Sequence, residues 1–230
     1  MTLTSQLETT ARSRYDLLVF DWDGTLMDST STIARAIQAG FRDVGLPAPS
    51  LRDCNYVIGY GLKEAMYYLT PDSDEAEVAR LVDAYKHNFV SGEKQLTLFD
   101  GVIEALPQLR DAGYTLAIAT GKARAGLNRM LTMTGIGDYF EVTRCADEAF
   151  SKPHPAMLEY ILDYTVTEAG RTLMIGDTTH DLQLAINAGT HSAALTYGAH
   201  PLDEMLPLNP VAHFDDFSSL SGWLLQEVEA

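Results

Sequence analysis

The sequence has few cysteines and no long apolar run, and each scarcity excludes a class of protein. Cys54 and Cys145 are the only cysteines in 230 residues, too few for a disulfide framework. No run approaches the roughly 20 apolar residues of a membrane-spanning helix. Residues 1–14, expected to form a loose leader, lack the apolar segment of a secretory signal. The chain is therefore predicted to be cytoplasmic, with reduced thiols and no membrane partner.

Basic residues are half as frequent as acidic ones. Sixteen Lys and Arg stand against 32 Asp and Glu, which gives a formal net charge of −16. Nucleic acids are bound through clustered Lys and Arg, so no nucleic acid is expected as a partner. The same charge repels anions at long range. A site for an anion must therefore be made positive locally, by a metal ion and a few cations.

Hydrophobic residues are frequent enough for a substantial core. They make up 46% of the chain, and the length suits one domain with an insertion or two small domains. Strand patterns at about 16–20, 114–119, 140–143, 172–175 and 192–196 alternate with helical patterns. This alternation predicts an α/β fold, a Rossmann-like open parallel sheet covered by helices on both faces.

The stretch after the first strand carries helical patterns alone. It carries three helical patterns between Ser29 and Glu93, separated by Gly, Pro and Ser, and no convincing strand. We therefore expect a helical cap domain at 29–93, inserted into an α/β core domain made of 1–28 and 94–230.

The first strand ends in two carboxylates, Asp21 and Asp23, followed by Gly24. If both side chains keep the two-residue period of the strand, they point the same way and repel each other. A divalent cation with oxygen ligands would relieve this repulsion. A solvated turn is the alternative, because Asp-x-Asp-Gly is also common in turns and in calcium loops.

Two further predicted strands also end in polar residues. The second is followed by Thr120 and Gly121, and the fourth by Asp177, with Asp181 four residues further on; Lys152 lies between these strands. Ligands of parallel sheets bind beyond the carboxyl ends of the strands. A hydroxyl, a lysine and the four acids distributed in this way form a coherent phosphate-and-metal site.

Four short motifs occur in the order found in a known family. They are Asp21-x-Asp23-Gly24-Thr25, Thr120-Gly121, Lys152-Pro153 and Gly176-Asp177-x-x-x-Asp181. In this order, with a helical insertion after the first motif, they resemble the haloacid dehalogenase-like hydrolases. The layout is most similar to the phosphoglycolate phosphatase-like branch, which has a small helical cap. The resemblance covers the whole chain beyond the leader and implies a Mg²⁺-dependent phosphatase.

The resemblance implies roles for the four acids. Asp21 would attack phosphorus and form an aspartyl-phosphate. Asp23 would protonate the leaving alcohol and then deprotonate the hydrolytic water. Mg²⁺ would be held by Asp21, the backbone carbonyl of Asp23 and Asp177. Asp181 would stand behind the metal, either as a direct ligand or through a water.

The remaining motif residues would bind phosphate. The Thr120 hydroxyl and the Gly121 amide would donate hydrogen bonds to phosphate oxygens. Lys152 would neutralise the charge that the phosphate shares with Asp21.

Residues 59–63 form the loop of the expected cap that is best suited to meet substrate. The loop contains Tyr60 and Lys63, and Lys63 could bind a second anionic group. A helix-capping turn with a solvated lysine is an equally good interpretation. Lys122 and His180, which lie beside motif residues, are expected to be solvated or structural.

The expected substrate is a small phosphorylated metabolite, with 2-phosphoglycolate as the best single candidate. Another sugar or nucleotide monophosphate is the alternative within the same class. A phospho-accepting signalling domain also combines acids, a hydroxyl and a lysine on an α/β sheet, but such domains are shorter and lack an inserted cap. A catalytically silent binding protein is disfavoured, because clustered acids are unfavourable without a metal and a task.

Overall fold

A computed structural model of the protein describes residues 14–229, with side chains up to residue 226. The predicted leader lies outside this range except for Arg14. The strands are β1 (Leu17–Phe20), β2 (Thr115–Thr120), β3 (Val142–Cys145), β4 (Thr172–Gly176), β5 (His191–Leu195) and β6 (Ala212–Phe214). The helices are α1 (Thr30–Asp43), α2 (Leu51–Tyr56), α3 (Leu62–Leu69), α4 (Glu75–Glu93), α5 (Val102–Asp111), α6 (Arg124–Thr134), α7 (Ala156–Thr165), α8 (Thr179–Ala188), α9 (Leu202–Met205) and α10 (Phe217–Glu229).

The six strands form one parallel sheet in the order β3-β2-β1-β4-β5-β6. The central strand β1 pairs with β2 on one side and with β4 on the other, so that Val19 lies opposite both Ala117 and Met174. Strands β2 and β3 therefore lie on one side of β1, and β4, β5 and β6 lie on the other, so the strand order reverses between β1 and β4. Ligands bind at such a switch point, beyond the carboxyl ends of the strands. The predicted open α/β sheet is confirmed.

Both faces of the sheet are buried, which explains the continuous apolar runs of the strands. Along β1, Leu18 and Phe20 belong to the core that α5 and α10 help to form. Leu17 and Val19 point the opposite way, into the core formed with α7 and α8. Side chains of a strand alternate between faces, so one four-residue strand supplies both cores.

Residues 29–93, named the helical segment below, contain α1 to α4 and no strand. Their core includes Ile37 and Phe41 of α1 and Leu81 and Phe89 of α4. The two helices approach closely at Gly40, where a Cβ atom would lie 3.0 Å from the backbone nitrogen of Tyr85. A side chain at that position would push α1 away from α4.

Short elements and helix ends account for the differences from the sequence-based expectations. Helices α2 and α9 and strand β6 were not predicted; they span six, four and three residues, too few for a clear apolar period. The last helical pattern before β5 predicts a helix over 182–188, but α8 begins at Thr179. Its first turn is fixed by a capping box in which Thr178 and Asp181 satisfy each other's backbone amides.

None of the helices in the described part of the chain combines the length and apolarity needed to cross a membrane.

Candidate active site

Three carboxylates meet at the carboxyl edge of the sheet. Asp21 directly follows β1, Asp177 directly follows β4, and Asp181 lies in the first turn of α8. All three are at least 99% buried, and one oxygen of each lies within 4.8 Å of an oxygen of the others. Burial of like charges at this separation is unfavourable unless cations accompany them.

Lys152 supplies one positive charge to this group. Its Nζ lies 2.8 Å from Oδ1 of Asp21 and 2.6 Å from Oδ1 of Asp181, and its side chain is fully buried. Burial alone would lower the pKa of Lys152, but the adjacent carboxylates of Asp181 and Asp21 raise it above the usual lysine value. The ammonium therefore stays charged, and it offsets one of the three negative charges.

The carboxylates still carry an excess of negative charge. Burial, opposed by Lys152, raises the pKa of Asp21 from 3.8 to about 7, and Asp181 and Asp23 act in the same direction as burial. Burial and the neighbouring carboxylates of Asp181 and Asp21 likewise raise the pKa of Asp177 well above its usual value. A further cation at this point would favour the ionised forms of both residues.

The hydrogen bonds of the three acids differ. Asp177 accepts bonds from the Thr25 hydroxyl at 2.8 Å and the Ala199 amide at 2.8 Å. Both oxygens of Asp181 are engaged, one by Lys152 and the other by the amide and hydroxyl of Thr178.

Asp21 is the acid with free coordinating capacity. Lys152 contacts it as an ion pair, but neither of its buried oxygens accepts a well-formed hydrogen bond from the described residues. Oδ2 of Asp21, a buried oxygen without a donor among the described residues, lies on a group of hard carboxylate ligands and fits a divalent cation such as Mg²⁺.

Asp23 is held by two side chains at the edge of this group. Ser29 donates a hydrogen bond to its Oδ1 at 2.7 Å, and Nζ of Lys122 lies 3.1 Å from its Oδ2. Of the two roles expected for Lys122, solvated or structural, the solvated one is wrong, because its side chain is only 9% exposed. The loop that carries Asp23 turns at Gly24, whose φ of +87° favours glycine.

Thr120 and Gly121 lie at the end of β2 and line the same cavity as Asp21 and Asp23. The Thr120 hydroxyl accepts a hydrogen bond from the Lys122 amide at 3.2 Å. A Cβ atom on Gly121 would overlap with the carbonyl oxygens of Gly59 and Tyr60 in the helical segment. The absence of a side chain at position 121 therefore lets the two parts of the chain meet above the sheet.

The cavity between the helical segment and the sheet edge encloses about 530 Å³. The sheet side contributes Asp21, Asp23, Thr120 and Lys122. The helical segment contributes a mainly apolar wall. Its members are Ile33, Ile37, Val57, Ile58, Gly59, Tyr60, Leu62, Ala65, Tyr85, Lys86, Phe89 and Val90. A volume of this size is typical of small-molecule sites.

The family model described as haloacid dehalogenase-like hydrolase matches residues 18–195 of the chain. The chain belongs to the haloacid dehalogenase-like hydrolase family. The match includes residues 18–20 of β1, both acids that follow this strand, and the residues of the other three motifs. The resemblance inferred from the four motifs is therefore confirmed.

Relatives of this hydrolase include several phosphatases. It is 36% identical over 211 residues to the probable phosphatase IndB of Dickeya dadantii, covering 90% of this chain and 92% of the relative. It is 32% identical over 213 residues to phosphoglycolate phosphatase of Aliivibrio fischeri, covering 89% and 94%. The crystal structure of a predicted phosphoglycolate phosphatase from Haemophilus somnus superimposes with a TM-score of 0.80 at 25% identity, covering 92% and 98%. The predicted enzyme class, a phosphatase, is confirmed.

The two cap residues expected to meet substrate in this hydrolase lie in different places. Tyr60 lines the cavity and stacks on His180, with ring centres 4.0 Å apart. Lys63 does not line the cavity; its Nζ lies 2.9 Å from Glu75, and both side chains are more than half exposed. The structure thus brings only Tyr60 to the cavity.

The loop that carries Tyr60 is fastened to the core by two histidines. Nε2 of His180 and Nε2 of His200 lie 2.7 Å and 3.1 Å from the carbonyl oxygen of Tyr56. The Gly61 amide donates a hydrogen bond to Oγ of Ser151 at 2.7 Å. His180 is therefore structural, which is one of the two roles expected for it.

Acidification is expected to destabilise the hydrolase through His180. Burial lowers the pKa of His180 from 6.5 to about 4. Between these values the unfolded chain binds a proton that the folded chain excludes, so the free energy of unfolding falls as the pH drops from 6.5 to 4, by roughly 3 kcal/mol. Urea denaturation of the metal-free protein across this pH range measures the loss.

A His180→Phe variant should lose less stability than the wild type over the same range. The comparison isolates His180, because acids with raised pKa values, such as Asp21, act in the opposite direction in both proteins. His87→Phe, at an exposed position of α4, is the matched control and should follow the wild type. If wild type and His180→Phe lost equal free energy of unfolding, the loss could not be assigned to His180.

Sequence reasoning missed two partners of Asp23, namely Lys122 and Ser29. The signal for Lys122 was its position directly after Thr120-Gly121, at the carboxyl end of β2, where a side chain can turn towards the end of β1. The sequence pattern allows either Ser29 or Thr30 to cap the helix that follows. The Ser29 hydroxyl makes no cap hydrogen bond to α1 and bonds to Asp23 instead.

Proposed function

We propose that this hydrolase is a Mg²⁺-dependent phosphatase that acts on a small phosphorylated metabolite through an aspartyl-phosphate on Asp21. The observation that carries the proposal is the buried group of Asp21, Asp177 and Asp181 around Lys152, next to a cavity that Asp21 and Asp23 both line. A nucleophile, an acid and a compensating cation therefore lie at one end of a space large enough for a metabolite.

In the first half-reaction, a carboxylate oxygen of Asp21 attacks phosphorus while the bond from phosphorus to the leaving oxygen breaks. Asp23 donates a proton to that oxygen, so the product leaves as an alcohol. Ser29 and Lys122 fix the two oxygens of Asp23 and so orient it towards the cavity. Lys152, 2.8 Å from Asp21, offsets the negative charge of the phosphoryl group.

In the second half-reaction, Asp23 takes a proton from a water molecule, whose oxygen attacks the phosphorus of the aspartyl-phosphate. The bond between phosphorus and Asp21 breaks, and inorganic phosphate leaves. The Thr120 hydroxyl and the Gly121 amide are proposed to bind the phosphate oxygens in both half-reactions. Both residues line the cavity beside Asp21, which supports this role.

The metal would be held by Asp21, Asp177 and the backbone carbonyl of Asp23. Mg²⁺, when bound, would supply the positive charge that balances the carboxylates and the phosphate oxygens. Asp181 already bonds to Lys152 and Thr178 through both oxygens, which favours contact with the metal through a water.

We further propose that residues 29–93 act as a cap domain over a core made of 1–28 and 94–230. The support is the helical content of 29–93 and its position across the cavity from the sheet edge. We also propose that the protein is cytoplasmic. Cys54 and Cys145 are both buried and form no disulfide, which is consistent with reduced thiols.

The test is phosphate release from a panel of phosphomonoesters, with Mg²⁺ and with excess EDTA. The panel contains p-nitrophenyl phosphate and 2-phosphoglycolate, which the names of the relatives make the best single candidate, together with sugar and nucleotide monophosphates as the alternative. Repeated turnover that requires Mg²⁺ is expected. Stoichiometric phosphorylation of the protein without phosphate release would instead indicate a phospho-accepting signalling domain.

A further inference from the structure

The cavity wall opposite the carboxylates contains a pair of stacked aromatic rings. Tyr85 and Phe89 lie one turn apart on α4, with ring centres 5.6 Å apart and planes inclined by 18°. Both line the cavity, next to aliphatic side chains of the helical segment such as Ile37 and Ile58. An aromatic and aliphatic wall binds apolar ligand surface, and it offers little to a short, fully polar ligand.

The aromatic wall stands close to the reacting groups. Nζ of Lys122 lies 3.1 Å from Oδ2 of Asp23 and 4.8 Å from the ring centre of Phe89. Asp23 is the proposed proton donor to the leaving oxygen. The part of the substrate that follows this oxygen must therefore extend into the cavity beside Phe89.

Two of the three cations that line the cavity already pair with acids of the protein. Lys122 pairs with Asp23, and Arg129 holds Glu93 through two hydrogen bonds of 3.0 Å and 3.2 Å. Lys86 also lines the cavity, and it has no partner among the described residues, but it lies at an exposed position of α4. A buried carboxylate needs a cation of its own, so a leaving group that ends in a carboxylate would depend on Lys86 alone.

The hydroxyl of Tyr85 is available to a ligand. Burial, together with the charges of Asp23 and Glu93, raises the pKa of Tyr85 above its usual value, and no hydrogen bond from a described residue contributes. Tyr85 is partly buried and lines the cavity, so a polar atom on a ligand seated against this wall can hydrogen-bond to its hydroxyl.

We propose that the enzyme prefers phosphomonoesters whose leaving alcohol carries a flat, partly apolar ring, and that this ring lies against Tyr85 and Phe89. The inference rests on the proposed phosphatase function and names its substrate class. It assigns specificity to α4 of the helical segment, whereas the sequence indicated only that the loop with Tyr60 and Lys63 was best suited to meet substrate. Glycolate lacks any such ring, so the inference replaces 2-phosphoglycolate, the candidate taken from the names of the relatives, which is expected to be a weak substrate.

The first test compares esters that share the same kind of leaving oxygen. We expect kcat/KM of the wild-type enzyme with Mg²⁺ to be at least about tenfold higher for 2-phenylethyl phosphate than for ethyl phosphate, because a filled apolar pocket discriminates by this order. 2-Phosphoglycolate should fall below 2-phenylethyl phosphate as well. Equal values for the two alkyl esters, or a preference for 2-phosphoglycolate, would overturn the inference.

The second test locates the preference on the wall. Tyr85→Ala and Phe89→Leu should each bring the ratio of kcat/KM for 2-phenylethyl over ethyl phosphate towards one. Tyr67→Ala is the matched control on α3, outside the cavity, and should leave this ratio unchanged. A ratio that neither wall variant alters would overturn the inference even if the wild type prefers the ring.

Turnover of p-nitrophenyl phosphate separates this inference from the function on which it rests. If that ester is hydrolysed but 2-phenylethyl phosphate is not preferred over ethyl phosphate, the substrate class is wrong and the phosphatase function stands. If p-nitrophenyl phosphate is not hydrolysed with Mg²⁺, the proposed function fails, and the inference fails with it.

Discussion

Replacing Asp21 with Asn is expected to abolish phosphate release, lowering kcat by about 10⁴-fold or more, because an amide oxygen cannot form the aspartyl-phosphate. The variant keeps the size of the side chain, so the fold should be retained. Activity on p-nitrophenyl phosphate with Mg²⁺, together with the circular dichroism spectrum, measures both outcomes.

Asp21→Asn should not lower the free energy of unfolding of the metal-free protein, whereas a substitution that damages the fold would lower it. The folded protein disfavours the ionised form of Asp21, whose pKa is about 7. Removing that charge should therefore leave the metal-free variant at pH 8 as stable as the wild type or more stable. Stabilisation by Mg²⁺ should shrink at the same time, because a ligand is lost.

Asp28→Asn is the matched control, since Asp28 lies on the same loop but is exposed. This variant should keep the activity and the Mg²⁺ response of the wild type. Near-normal turnover by Asp21→Asn would show that another residue is the nucleophile.

The sheet could be predicted because its strands carry a strong local signal. The strands β1 and β4 are fully buried on both faces, so each is a continuous apolar run that ends abruptly at a carboxylate. The edge strand β6 has only three residues, none of them fully buried. Its pairing with β5 depends on tertiary contacts that leave no periodic pattern in the sequence.

The motif residues could be assigned to one site for a topological reason. Carboxyl ends of parallel strands share one edge of the sheet, so Asp21 and Asp177 had to converge once β1 and β4 were parallel neighbours. The side of the cavity formed by the helical segment follows no such rule. Helices α1 and α4 can pack with several crossing angles and rotations, and the sequence pattern did not single out the cavity-facing residues of α4, such as Tyr85.

Replacing Lys152 with Met is expected to destabilise the metal-free protein at pH 8 by about 3–5 kcal/mol, the usual effect of leaving buried charges without a partner. Lys152 is fully buried between Asp21 and Asp181, and Met fills a similar volume without the ammonium. Phosphate release should fall sharply as well, because Asp21 and the phosphate lose a compensating charge. Urea denaturation and the p-nitrophenyl phosphate assay measure the two effects.

The loss of stability in Lys152→Met should depend on pH with a definite sign. Without the ammonium the pKa of Asp21 rises further above its usual 3.8, so the folded protein holds a proton that the unfolded chain releases. The free energy of unfolding then falls as the pH rises through this range, and the defect is smaller at pH 5 than at pH 8. Mg²⁺ should recover part of the stability at pH 8, since it supplies positive charge to the same carboxylates.

Lys63→Met provides the control, because Lys63 pairs with Glu75 on the exposed surface of the helical segment. Removing that ion pair should leave stability and its pH dependence at the wild-type values. If Lys152→Met were equally harmless at pH 8, the three carboxylates could not be ionised together in the folded protein. A cation would then have nothing to neutralise, and the metal site proposed for Asp21 and Asp177 would have no electrostatic basis.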